Sequence, residues 1–184
     1  MKFSGHKKSN LKNVAGVLLA VPFLVAVAGT CDQKGRINNR NSQPKTWRKV
    51  NLSFLTLSVP SNMRERKVPA TDLTVWEFHS DLMVLEIDYG QTVSNGQEYR
   101  QQPDFKEDEA AIGGFTVVRS SFRLDGSVPT NYYNRGFKFV ATAFFPDVDD
   151  FGNKLMLFAN CKNAECIRDA NQIFNSVKIE SERE

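Results

Sequence analysis

Histidine and cysteine are scarce in this sequence of 184 residues, which contains two histidines and three cysteines. His6 lies in the N-terminal leader described below, so the part that follows retains His79 alone. A Ser-His-Asp triad would have to use His79, yet the sequence has no Gly-x-Ser-x-Gly turn. A zinc site would combine His79 with Cys161 and Cys166, whose C-x4-C spacing differs from the C-x2-C spacing of structural zinc sites. The sequence therefore predicts no catalytic residue, no metal site and no cofactor.

Long apolar runs are also rare, and the one at residues 14–29, VAGVLLAVPFLVAVAG, follows four lysines with no acidic residue before Asp32. As a helix it would span about 24 Å, which is short of the roughly 30 Å hydrocarbon core of a bilayer. Pro22 interrupts it, which suits a cleaved segment better than a lasting span. Residues 1–30 are therefore predicted to be an export signal peptide, with an uncleaved anchor as the alternative.

Two cleavage positions are open at the end of this leader. The segment VAVAGTC, ending at Cys31, resembles the lipobox of bacterial lipoproteins, in which the cysteine becomes acylated and forms the new N-terminus. A usual lipobox has an aliphatic residue and Gly or Ala where this chain has Ala28 and Thr30. Small residues at 26 and 28 would instead allow cleavage after Ala28 and release a soluble periplasmic or secreted chain. The prediction is an extracytoplasmic lipoprotein held at the membrane by Cys31.

The net charge of +3 belongs to the whole chain and not to the part that folds. Eight of the 24 basic and one of the 21 acidic residues precede Thr46, so the remainder holds 16 basic and 20 acidic residues, a net of −4. Residues 31–45 are polar and basic, as in a flexible tether, and residues 46–184 have the length of a single domain. A mildly acidic domain without a basic stripe is not expected to bind nucleic acid.

Hydrophobic periodicity predicts an α+β fold in which an antiparallel sheet of about six strands packs against a C-terminal helix. In segment 82–90 the apolar residues alternate with Glu86 and Asp88, which fall on the opposite face. The predicted strands cover residues 52–59, 73–79, 82–90, 115–124, 136–145 and 154–160.

After residue 163 the apolar spacing changes to that of a helix, with Asn163 as its predicted N-cap. The apolar stripe of this helix consists of Ile167, Ala170, Phe174 and Val177. Residues 90–113 form a long polar stretch, predicted to be a loop with a short helix over 102–111.

Cys161 and Cys166 would lie at the end of a strand and the start of the helix, so a disulfide between them would join sheet to helix. Two free thiols are the alternative. The acidic turn containing Asp147, Asp149 and Asp150 lacks the ligand register of an EF-hand and is predicted to be a solvated hairpin turn. Tyr132 and Tyr133 are candidates for contact with a partner protein, with core packing as their alternative role.

Three weak motifs together resemble the PsbP-like fold family, whose members include small bacterial envelope lipoproteins. They are the opening FLTLSVPSNM, the pair Gly113-Gly114 before a long strand, and the ending IFNSVKI. The resemblance covers roughly residues 50–179. It implies a PsbP-like sandwich of sheet and helices with an accessory or binding role, and it carries over no catalytic residues.

Two classes of function remain open from the sequence. The first is a membrane-tethered envelope module that contacts an unidentified envelope protein or a lipid-linked ligand. The second is an exported hydrolase that uses carboxylates of the 91–112 loop, namely Asp104, Glu107, Asp108 and Glu109. The hydrolase requires two carboxylates that face each other at roughly 5 to 9 Å.

Overall fold

Ten strands and one α-helix are present in the computed structural model, which describes residues 45–69, 72–126 and 135–180. All of these residues belong to one compact unit that spans residues 41–184. No helix in the described ranges has the length and apolar character needed to span a membrane. The strands are β1 Trp47–Leu52, β2 Leu55–Pro60, β3 Arg64–Lys67, β4 Thr74–His79, β5 Met83–Gly90, β6 Lys106–Ile112, β7 Phe115–Arg123, β8 Phe139–Phe145, β9 Lys154–Cys161 and β10 Lys178–Ile179; the helix is α1 Cys166–Asn175.

The strands form two antiparallel sheets instead of one sheet of about six strands. A small sheet has the order β1-β2-β10, and a large sheet has the order β3-β4-β5-β9-β8-β7-β6. Five of the six predicted strands correspond to β4, β5, β7, β8 and β9, and β4 pairs with β5 in an antiparallel arrangement. The additional strands are short or lie at an edge, so hydrophobic alternation does not reveal them.

Two predicted segments are wrong in detail. The strand predicted over 52–59 is interrupted by a turn at Ser53, whose φ of 45° is left-handed, so β1 ends at Leu52 and β2 begins at Leu55. The helix predicted over 102–111 is instead the edge strand β6, preceded by a short 3-10 helix at Gln97–Tyr99. Because both faces of β6 are largely exposed, its sequence KEDEAAI shows no strand-like alternation.

One apolar core fills the space between the large sheet, the small sheet and α1. Successive residues of a strand point to opposite faces, so β9 contributes Leu155, Leu157 and Ala159 to this core. From α1 the buried residues are Cys166, Ala170, Ile173 and Phe174. The α+β prediction is therefore confirmed at the level of an antiparallel sheet packed against a C-terminal helix.

Both ends of α1 are fixed by side-chain hydrogen bonds. Asn163 Oδ1 accepts from the Cys166 backbone N–H at 3.0 Å, as expected of a capping side chain. The N-cap position of α1 itself is Glu165, whose side chain makes no capping hydrogen bond. At the other end, the Ser176 hydroxyl donates to the Ile173 carbonyl at 2.6 Å and accepts from the Ser58 N–H at 2.8 Å. The helix is thereby joined to β2 as well as to the large sheet.

Two phenylalanines provide a matched test of this core. Phe174 is 0% exposed and Phe151 is 80% exposed. We expect Phe174→Ala to lower the free energy of unfolding by about 3 to 5 kcal/mol, because it leaves a cavity under the helix. Phe151→Ala should change it by less than about 0.5 kcal/mol. Urea unfolding of both variants measures the difference, and equal effects would contradict this placement of α1.

Candidate functional site

The outer face of the large sheet, opposite the apolar core, carries a group of three carboxylates on β4 and β5. Glu77 lies directly across from Glu86, and Asp88 follows two residues later on the same face. Side chains that are directly opposite in an antiparallel pair have Cβ atoms about 4.5 to 5.5 Å apart. We call Glu77, Glu86 and Asp88 the carboxylate cluster.

Glu77 is the most buried member of the cluster, at 6% exposure. His79 Nε2 contacts Glu77 Oε1, and Arg66 Nη1 from the edge strand β3 lies 3.5 Å from the same oxygen. A buried carboxylate needs such partners because desolvation strongly disfavours an isolated charge. His79, the last residue of β4, is therefore a partner of the cluster.

Asp88 keeps its proton to a higher pH than an exposed aspartate does. Burial, reinforced by the nearby charge of Glu86, raises the pKa of Asp88 to about 7. Its Oδ1 atom is buried and accepts no hydrogen bond from the part of the chain that the structure describes. A carboxyl group with this pKa exchanges its proton near neutral pH.

Aromatic residues of the 91–105 segment cover the adjoining part of the outer face. Tyr99 stacks on Phe122 with ring centroids 5.0 Å apart and also contacts Phe158, at 5.6 Å. Burial and the charges of Glu98, Glu86 and Asp88 raise the pKa of the Tyr99 hydroxyl. Tyr99 therefore stays protonated near neutral pH beside the carboxylate cluster.

Asn160 lies on the same face, between Val84 of β5 and Val140 of β8. It is 0% exposed, and neither its Oδ1 nor its Nδ2 forms a hydrogen bond within the described ranges. An unpaired buried polar group costs about 1 to 3 kcal/mol, whereas a leucine, which has the same branched shape, would pack there without that cost. We therefore include Asn160 with the carboxylate cluster in the candidate site.

This site combines an ionisable carboxyl group, a histidine and a tyrosine on one sheet face. Chemically, it can exchange a proton or accept a cationic group near neutral pH. The residues described by the structure contain no group of three or more His, Cys, Asp or Glu side chains placed to hold a metal ion. The polar positions of Glu86 and Asp88 follow from strand alternation, but the burial that raises the pKa of Asp88 has no signal in the sequence.

The loop carboxylates of the hydrolase hypothesis lie elsewhere, on or just before β6. Three of them form ion pairs: Asp104 with Arg123, Glu107 with Arg100 and Asp108 with Arg119. Glu109 is exposed on the same strand. Neighbouring residues of a strand point to opposite faces, so Glu107 and Asp108 diverge instead of facing each other across a cleft.

Cys161 and Cys166 are at disulfide distance, with Cα atoms 5.6 Å apart, within the usual range for a disulfide. Cys161 is the last residue of β9 and Cys166 the first of α1, so the pair joins sheet to helix as predicted. Cys31, Tyr132 and Tyr133 lie outside the described residues. Asp149 forms hydrogen bonds within the hairpin turn between β8 and β9, which agrees with the turn prediction.

The chain matches no protein-family model, and a comparison with curated proteins finds no significant similarity. The site is therefore interpreted from its own geometry.

The raised pKa of Asp88 predicts a specific pH dependence of stability. The group titrates near 3.8 in the unfolded chain and near 7 in the folded one, so the folded state holds an extra proton between these values. Stability should therefore fall as pH rises from about 4 to about 7. Asp88→Asn removes this fall and should be more stable than the wild type at about pH 8. The urea midpoints of the wild type and of Asp88→Asn, at the low and the high end of this pH range, measure the difference. Asp150→Asn, at an exposed position, is the control and should show the same pH dependence of stability as the wild type.

The cysteine pair predicts a redox-dependent stability. Replacing both residues, Cys161→Ser with Cys166→Ser, should lower the free energy of unfolding by about 2 kcal/mol, because the unfolded chain regains loop entropy. A reducing agent should lower the urea midpoint of the wild type and leave that of the double variant unchanged. An identical midpoint for oxidised and reduced wild type would contradict a stabilising disulfide.

Proposed function

We propose that the protein is a membrane-tethered, extracytoplasmic binding or accessory module of the cell envelope, anchored through an acylated Cys31. The observation that carries the location is the Cys161–Cys166 pair at disulfide distance, because disulfides persist in oxidising compartments outside the cytoplasm. The signal-like residues 1–30 and the lipobox-like segment before Cys31 support the same location.

The first residues of the folded part, before β1, are compatible with a flexible tether ahead of them. Lys45 contacts Asp169 of α1 through its Nζ atom, and β1 begins two residues later at Trp47. An exposed ion pair of this kind adds little stability, so it does not fix the direction of the preceding chain. About fourteen tether residues between Cys31 and Thr46 give a reach of roughly 20 Å if they behave as a random coil. That reach keeps the domain beside the membrane while leaving it free to turn.

A PsbP-like fold is part of the proposal. The antiparallel sheet and the C-terminal helix that packs on it support this resemblance, and the IFNSVKI motif contains the end of α1 and all of β10. Families of this kind act by contacting other proteins, so the expected partner is an envelope protein. Fold alone does not select that partner.

Binding is favoured over hydrolysis by the arrangement of charges. Within the described ranges, the carboxylates of Asp104, Glu107 and Asp108 each form an ion pair with an arginine. Charged side chains of this kind are typical of an exposed edge strand. The carboxylate cluster lies on a partly covered sheet face with charged partners of its own. The ion pairs of the first group and the burial of Glu77 in the second suit stabilising contacts better than the solvent-open pair of carboxylates that glycoside-type hydrolysis uses.

The Cys31→Ser variant tests the tether. We expect the wild type in the membrane fraction and Cys31→Ser in the soluble envelope fraction, because the variant cannot be acylated. The mass of the mature N-terminus separates an acylated Cys31 from cleavage after Ala28. Cys161→Ser with Cys166→Ser is the matched control, since it removes two cysteines and should leave the membrane location intact. A cleaved Cys31→Ser protein that stays tightly bound to membranes would refute the proposal.

A further inference from the structure

The hairpin between β8 and β9 exposes an aromatic side chain at its turn. Phe151 is 80% exposed, and the other large hydrophobic residue exposed in the described ranges is Leu82, at 49%. Single exposed apolar residues are common on protein surfaces and need no explanation by themselves. Phe151 differs from such residues because hydrogen bonds order the turn that carries it and further aromatic rings lie nearby. We call residues 147–153 the hairpin tip.

A dense hydrogen-bond network holds the hairpin tip in one conformation. The Asp149 carboxylate accepts from the Phe151 N–H at 2.9 Å, from the Asn153 N–H at 3.1 Å and from the Tyr89 hydroxyl. Burial alone would raise the pKa of Asp149, but the hydrogen bonds from Tyr89, Asn153 and Phe151 together lower it. Beneath the turn, Val148 is buried. Phe151 is thus presented on an ordered turn, which reduces the entropy lost on binding.

Further aromatic rings lie beside the hairpin tip. Tyr89, which donates to Asp149, has its ring 4.1 Å from that of Phe54, and the Phe54 ring is 6.1 Å from that of Trp76. All three are partly exposed. Together with the hairpin tip they form what we call the aromatic end. Trp, Tyr and Phe are enriched at protein interfaces, where they bury large areas with little loss of rotamer freedom.

Acidic residues outnumber basic ones at the aromatic end, where Lys154 of β9 lies opposite Gly90. Asp147 and Asp150 precede Phe151 in the same turn and are exposed, and the backbone of exposed Asp72 lies beside Gly90 at the end of β5. These charges oppose insertion of Phe151 into a membrane with anionic headgroups. They favour a protein surface with basic residues around an apolar pocket.

The aromatic end also lies away from the tether. The turn that carries Phe54 follows β1, whereas the tether joins the other end of β1 at Trp47. The length of β1 separates these positions by about 17 Å. The aromatic end is therefore free to meet a second protein while the tether stays at the membrane.

We infer that the aromatic end is the docking surface for an envelope protein that presents an apolar pocket bordered by lysine or arginine. Phe151 enters the pocket, and Asp147 and Asp150 pair with its basic rim. This inference names the partner chemistry of the proposed binding module and relies on that proposal for the compartment alone.

Site-specific photocross-linking tests this inference in intact cells that export the full chain. A photoreactive phenylalanine analogue replaces Phe151, or Leu82 at the opposite end of β5 as the matched control. We expect a discrete protein adduct from position 151 that is absent from position 82. Mass spectrometry should locate the adduct in a partner peptide with apolar residues and a nearby Lys or Arg. Adding Asp147→Lys and Asp150→Lys, both at exposed positions, should lower adduct yield by about tenfold, because complementary charge guides association.

Each other outcome overturns the inference. A phospholipid adduct would show membrane insertion, and an adduct between two copies of the chain would show self-association. The absence of an adduct at 151, the same adduct at 82, or a yield unchanged by charge reversal would also refute it. The cross-linking is repeated in the Cys31→Ser background, so loss of membrane location with a retained adduct refutes the tether and leaves the docking surface intact.

Discussion

The pairing of β9 with β5 on one side and β8 on the other is the constraint on which the rest of the structure depends. β9 is the central strand of the large sheet, and its register decides which residues enter the core. A shift by one residue would move Leu155, Leu157 and Ala159 to the outer face and bring Asn160 inside. The ends of β9 also place the hairpin tip and Cys161. The core, the candidate site and the disulfide therefore all depend on the register of β9.

The sequence predicts the fold best where a strand is buried on one face and polar on the other. β5 is such a strand, and its alternation identifies both its core residues and the polar positions of Glu86 and Asp88. β6 and β3 fail this criterion because edge strands are exposed on both faces, and the helix predicted over 102–111 was wrong for that reason. Strand order could not be predicted, since it depends on contacts between residues far apart in the chain.

The candidate site was partly predictable for a related reason. Local patterns identify Asn163 as a cap, the cysteine pair as a link and the 147–153 segment as a turn. The carboxylate cluster requires β4 and β5 to pair and Tyr99 to fold over the neighbouring strands, which is tertiary information. Charged side chains such as those of the carboxylate cluster are also unusual on a sheet face that is partly covered. The sequence shows which residues could form such a site, but it does not show the burial that changes their chemistry.

The two edge strands of the large sheet, β3 and β6, affect how copies of the protein meet one another. All four residues of β3 are exposed, as are the first four of β6, and all eight of these residues are charged. Backbone groups at a sheet edge can pair with another chain, and charged side chains there oppose such pairing. Under the tether proposed above, copies diffuse in two dimensions and meet at high local concentration. Charged edges would then let the protein cover a membrane densely without polymerising into a continuous sheet.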